Sequence, residues 1–208
     1  MKKLSILLLL LPLIMVGCKS NEQKAEELIK NELYKTLYDF DSYSPIETIV
    51  IEAKQSVYTD TALWAKAKVV SYALNLTNKY LEESNDVKER IHSLLRRHRY
   101  SYSDEQYYEL KKEEEEIKEK MATSYDLAQS TAKSLKDSLQ TVDTEKIVGW
   151  EVKHRFRCKT KGGHSTIGDY RYVMDENFKE ILIFEDMDDE EYENMRVIVG
   201  AVISGAFE

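Results

Sequence analysis

The apolar residues change spacing along the chain, and each change marks an element. From residue 22 to 39, with Phe40 just beyond, Ala25, Leu28, Ile29, Leu33, Leu37 and Phe40 recur three and four residues apart. That spacing predicts a first helix, and Ser20 with Gln23 offers it a capping box. The run Asp39-Phe40-Asp41-Ser42-Tyr43-Ser44-Pro45 reads as a turn that ends the helix. Ile46 to Ala53 then supplies Ile46, Thr48, Ile49, Val50 and Ile51, a β-branched run of strand length.

Between Thr61 and Val142 the chain has neither Gly nor Pro, and its apolar spacing is helical throughout. Ala62, Ala65, Val69, Ala73, Leu76 and Tyr80 mark one stripe, continued by Val87, Ile91, Leu94 and His98 after an expected kink at Ser84-Asn85-Asp86. A second stripe runs through Tyr107, Leu110, Ile117, Met121, Tyr125, Ala128, Leu135 and Leu139. Arg96, Arg97, His98 and Arg99 sit where the first arm should end, and Ser103-Asp104-Glu105-Gln106 reads as a new N-terminus. Both placements suit the helix dipole. Arms over 61–99 and 104–142, each about 58 Å long at 1.5 Å per residue, imply an antiparallel helical hairpin. The stripe is thin and interrupted by Glu114 and Ser124, as in the seam of a coiled coil.

The last third adopts a period of two. Trp150, Val152, His154, Phe156 and Cys158 alternate with charged residues, which predicts a half-buried strand. Lys161-Gly162-Gly163-His164 breaks it, Tyr170, Tyr172 and Met174 alternate again, Asp175-Glu176-Asn177 reads as a turn, and Ile181 to Phe184 forms a fourth strand. Short loops between these strands predict an antiparallel meander. Asp188 to about Val202 closes the chain as a helix. The expected fold is α+β: an N-terminal helix on a small four-stranded antiparallel sheet, with the hairpin inserted between strands one and two. The expected division is 1–17 leader, 18–60 first part of a head, 61–142 hairpin, and 143–208 second part of the head with the closing helix.

Lys2 and Lys3 followed by the apolar run Leu4 to Val16 form a targeting segment, too short to span a bilayer as a lasting helix. It ends in Met15-Val16-Gly17-Cys18, with polar Lys19-Ser20-Asn21-Glu22 directly after. This resembles a bacterial lipobox, whose Cys is acylated and becomes the mature N-terminus. Met15 stands where Leu is usual. Cys18 is then the lipid attachment site and Cys158 the one thiol remaining, so no intrachain disulfide is expected.

Composition narrows the classes further. The chain has 208 residues, a net charge of −8 and 42% apolar residues, which excludes a disordered acidic tail. The acidic balance also argues against a nucleic-acid partner, and losing Lys2 and Lys3 makes the mature chain more acidic still.

Candidate chemistry is sparse. His154, Cys158, His164 and Asp169 form the one cluster that could bind metal or act as a nucleophile. His154 and Cys158 are four positions apart on a strand, about 13 Å, too far to share one ion. No CxxC or HxxxH spacing occurs, Gly162-Gly163 lacks phosphate-loop spacing, and no metal, cofactor or catalytic residue is expected. Lys153, Arg155, Arg157, Lys159 and Lys161 make a basic row on the strand's other face. It is either a contact surface or a solvated face neutralised by acids such as Asp169 and Glu185. Glu113–Glu116 reads as a solvated helix face with Glu114–Lys118 and Glu116–Lys120 pairs.

The lipobox, the first helix ending in Tyr38-Asp39-Phe40-Asp41-Ser42-Tyr43, and the meander from Gly149-Trp150-Glu151-Val152 to Phe184 together resemble a set of small lipoproteins of Gram-negative gut anaerobes. The likeness covers about half of the mature chain and excludes the hairpin. That set has no agreed activity, so the resemblance implies none; it does imply that Asp41-Ser42-Tyr43 is a fold-defining turn. The resulting expectation is a lipid-anchored envelope protein, at the outer membrane, that binds another protein or a glycan without catalysis. Lys153, Arg155, Arg157 and Lys159 are the expected contact residues. The alternative is a small-ligand binder or hydrolase with a pocket between helix and sheet, lined by Trp150, His154, Tyr170 and Tyr172.

Overall fold

The computed structural model describes residues 19–97 and 104–205. In chain order they form α1 (Asn21–Thr36), β1 (Asp39–Lys54), α2 (Thr61–Arg97), α3 (Asp104–Leu139), β2 (Ile147–Lys159), β3 (Ser165–Met174), β4 (Ile181–Asp186) and α4 (Glu190–Ser204). The fold is α+β. One four-stranded antiparallel sheet has the order β1-β2-β3-β4, and the hairpin α2–α3 is inserted between its first two strands. The chain divides into two compact units, one of the described residues through Ala53 with Val148–Asp188, the other of Lys54–Ile147 with the residues from Asp189 onward.

In the sheet unit, α1 begins with the expected capping box. Gln23 N–H donates to Ser20 Oγ at 3.3 Å, and Ser20 N–H donates to Gln23 Oε1 at 3.1 Å. Ala25, Ile29 and Leu33, each one helical turn apart, are buried against Val152, Phe156, Tyr172 and Met174. Register places Val152 opposite Tyr172, His154 opposite Tyr170 and Phe156 opposite Gly168. Gly168 is there for a steric reason: a Cβ would come within 2.7 Å of the Phe156 ring. The sequence reading begins this strand at Tyr170; β3 starts earlier, at Ser165, directly after the expected break, and Gly168 leaves room for that ring within it.

The Asp39–Pro45 segment departs from expectation. It is no turn, and Asp41-Ser42-Tyr43 lies inside β1. The direction change occurs before it, at Leu37, whose extended backbone ends α1. Turn-forming residues are tolerated because β1 is an edge strand, where Pro45 removes no necessary ladder bond. Ser42 substitutes for part of the ladder: its Oγ accepts from Lys159 N–H at 2.8 Å and donates to the Asp39 carbonyl at 2.7 Å.

In the helical unit the arms run antiparallel, as the cross-arm contacts Lys66–Ser138 (2.7 Å), Thr77–Ser124 (2.8 Å) and Arg90–Glu113 (2.9 Å) require. The expected kink at Ser84 is absent. α2 is continuous, and Ser84 is buried at a position facing α3. Glu114 is not on a solvated face: it is 4% exposed and bracketed by Lys111 at 2.8 Å and Lys118 at 3.1 Å. Among the described residues Glu116 pairs with Lys112 at 3.8 Å, and the expected pair with Lys120 is not formed. The basic tip is mostly outside the described residues, as are His98 to Ser103 and the expected cap at Ser103.

α4 falls in the helical unit. Its buried face, Tyr192, Met195, Val199 and Val202, belongs with the hairpin, and Trp64 meets Tyr192 with ring centroids 6.4 Å apart. The sequence reading gave this helix to the head. Amphipathic spacing shows that a helix has an apolar face but not which surface receives it. Asp189 caps α4 at its start, and Gly205, at φ 79°, ends it.

Candidate functional site

Three places in the sheet unit merit chemical scrutiny. The first is His154, on the face of β2 that packs under α1 and 0% exposed. Its Nε2 lies 2.9 Å from Tyr43 Oη and its Nδ1 lies 3.0 Å from Thr48 Oγ1. Thr48 spends its only hydroxyl proton on Glu26 Oε1, at 2.9 Å, so it must accept from His154 Nδ1–H. Nε2 is therefore the acceptor and Tyr43 the donor. Burial pushes the imidazole below its ordinary pKa, outweighing the opposing pull of Glu26 and Asp169. Burial, helped by Glu26, pushes Tyr43 up to about 12, which keeps its proton in place. The Phe156 ring stacks on the imidazole with centroids 5.6 Å apart. Both nitrogens are committed, so this carboxylate–hydroxyl–imidazole–phenol chain ties α1 and β1 to β2.

The other members of the suspected cluster go elsewhere. Cys158 is buried on the same face as His154, where desolvation raises its thiol pKa. His164 is exposed in the β2–β3 turn, and Asp169 is opposite Arg155 on the other face. Among the described residues no three His, Cys, Asp or Glu side chains are grouped as a metal site requires.

The second place is that other face. Lys153, Arg155, Arg157 and Lys159 are all exposed, one every second residue along β2. Asp169 stands opposite Arg155, and Glu185 stands opposite Arg171, which is bound to Glu151 at 3.2 Å. Among the described residues none of the four stripe cations is in an ion pair. Ile167, opposite Arg157, is 43% exposed. Ile49 and Ile51 alternate with Thr48 and Val50, which face the core, and are 44% and 49% exposed. The face combines unneutralised cations with uncovered isoleucines.

The third place is a groove of about 610 Å³ beside α1. Leu28 and Leu33 of α1, with Leu37 just past its end, form one wall, with Ile181 and Leu182 of β4 across from them. Tyr170, Tyr172 and Phe184 line it too, Phe184 lying 5.0 Å from Tyr170 and 5.3 Å from Tyr172 between centroids. Glu32, Lys35, Lys179 and Glu180 complete the rim. Tyr172 is 0% exposed, and its hydroxyl has no hydrogen-bond partner among the described residues. Of the four residues expected to line a pocket, Tyr170 and Tyr172 do so. His154 is sealed beneath α1, and Trp150 stacks on Phe178 at 5.4 Å and donates to the Glu176 carbonyl. A larger concavity of about 690 Å³ between α3 and α4 is lined mainly by charged and amide side chains at the surface.

No family model, curated protein or solved structure matches the chain.

Sequence reasoning missed the partners of His154, because Tyr43 was assigned to a turn. It also missed the groove wall, since Leu28 and Leu37 read simply as part of the stripe of α1. The available signal was that this stripe is wider than the Ala25–Ile29–Leu33 line needed to cover the sheet. Cys18 lies outside the described residues.

Proposed function

We propose that the protein is a lipid-anchored component of the cell envelope, tethered through Cys18, that acts by binding and not by catalysis. The leader carries this reading: two lysines, the run Leu4–Val16, then Met15-Val16-Gly17-Cys18 and an abrupt change to polar residues. Several acyl chains on one cysteine hold a protein lastingly, whereas a single chain is marginal. Among the described residues no helix is long and apolar enough to cross a membrane. The resemblance to small lipoproteins of Gram-negative gut anaerobes supports the outer membrane as the address.

The binding role is supported by the exposed row Lys153, Arg155, Arg157 and Lys159, unneutralised in a chain of net charge −8. Such a row favours an acidic partner, either an envelope protein or an anionic glycan. The full commitment of His154 to structural bonds removes the best candidate for a general base.

The hairpin is proposed as a two-stranded antiparallel coiled coil. Its facing positions support this: Leu63, Val70, Thr77, Ser84 and Ile91 on α2, and Tyr107, Glu114, Met121, Ala128 and Leu135 on α3, each recur at seven residues.

The test of the binding reading is capture of partners from native envelopes by the full-length protein and by an Arg155→Glu/Arg157→Glu variant. The wild type retains an acidic protein or glycan that the variant loses. Identical captures by both would remove the stripe from the account.

A further inference from the structure

We propose that the groove beside α1 is a binding site for an uncharged amphiphile, a molecule with an apolar chain or ring carrying one carbonyl or ether oxygen. This site is separate from the cationic face and does not depend on it. The argument begins with Tyr172. A buried hydroxyl without a hydrogen bond carries a desolvation penalty that folded proteins rarely leave uncompensated. Here that hydroxyl belongs to a residue lining a groove of about 610 Å³, within the size range of small-ligand pockets. The wall is apolar where it meets Tyr172: Leu28 and Leu33 on the helix, Leu37 at its end, and Tyr170, Ile181 and Phe184 on the strands. Phe184, 47% exposed on a face that is otherwise core, marks where cover from α1 runs out.

The chemistry of the group selects the ligand. Burial raises the pKa of Tyr172, with Tyr170, Tyr43 and Glu32 acting in the same direction, so the phenol keeps its proton and donates. Its complement is an acceptor. A carboxylate in that place is disfavoured, since the nearby groups that act on Tyr172 are acidic or phenolic and burying an unpaired anion costs several kcal/mol. At the rim, Lys35 is already paired with Glu32 at 3.0 Å, and Lys179 adjoins Glu180, so the rim selects neither sign. An uncharged acceptor attached to an apolar body satisfies every one of these conditions.

The experiment uses the full-length protein and a neutral naphthyl ketone whose emission shifts to the blue when it leaves water. Its companion probe is the same ring system bearing a carboxylate in place of the ketone. Three chains are compared: wild type, Tyr172→Phe, and Leu182→Trp, which fills the groove from its mouth and supplies the background for binding elsewhere on the chain. The ketone binds the wild type saturably, binds Tyr172→Phe about five-fold more weakly for loss of one hydrogen bond, and shows only background with Leu182→Trp. The carboxylate shows background with all three. Tyr172→Phe melts no lower than the wild type, since it removes an unpaired polar atom from the interior. Equal ketone affinity in wild type and Tyr172→Phe would overturn the proposal. So would a wild-type signal no greater than that of Leu182→Trp, carboxylate binding as tight as the ketone's, or a lowered melting point for Tyr172→Phe.

Discussion

His154 Nε2 accepts the hydroxyl proton of Tyr43 across 2.9 Å, joining two residues 111 positions apart in the chain. This bond closes the insertion. β1 and β2 are separated by the entire hairpin, and the imidazole, held on its other side by Thr48, locks the returning strand against the departing one.

His154→Leu is therefore expected to destabilise the protein by about 1–3 kcal/mol, because Tyr43 loses its acceptor and Thr48 loses its donor. A denaturant melt followed by circular dichroism measures it. A change within about 0.3 kcal/mol of zero would mean that the two bonds contribute nothing net.

Stability should also fall with acid in a way that reports His154. Its folded pKa is lowered by burial, so the unfolded chain takes up a proton near the ordinary value while the folded one resists. The stabilisation is complete above about pH 6.5 and is lost as the pH falls below it, at no more than about 1.4 kcal/mol per pH unit. Melting points of wild type and His154→Asn, compared from about pH 7.5 to about pH 5.5, should converge as the pH drops. Parallel curves would place the titration elsewhere.

The division into two units predicts how the chain can be cut. Residues 19–53 joined by a short flexible loop to 148–188 should give a sheet unit that melts cooperatively with a strand signal. Extending that shortened chain through 205 exposes Tyr192, Met195, Val199 and Val202 of α4, which the hairpin no longer covers. That longer chain should bind hydrophobic dyes and aggregate. A longer chain as soluble as the shorter one would show that α4 does not depend on the hairpin.

The elements most legible in the sequence were those with long, regular periods. The alternation from Trp150 to Cys158 marked β2 and its buried face, and the Gly- and Pro-free stretch after Thr61 marked both arms. Reading failed where a local signal was overridden by pairing. Asp39 to Pro45 has turn composition, yet the Ser42 side chain and an edge position let it run as strand. Ser84-Asn85-Asp86 has breaker composition, yet Ser84 occupies a packed position in an unbroken helix. The exposed cations of β2 were visible as an alternating row. Their lack of ion pairs was not, because strand neighbours depend on register. The groove was anticipated only through Tyr170 and Tyr172, since its other wall depends on how α1 lies across the sheet.

The central claim is attachment through Cys18, and membrane fractionation of cells expressing wild type and Cys18→Ser tests it most directly. The wild type should pellet with membranes and resist high salt, while any Cys18→Ser protein from which the leader has been cleaved should stay in the soluble fraction. Cleaved Cys18→Ser protein that still pellets with membranes would contradict the account.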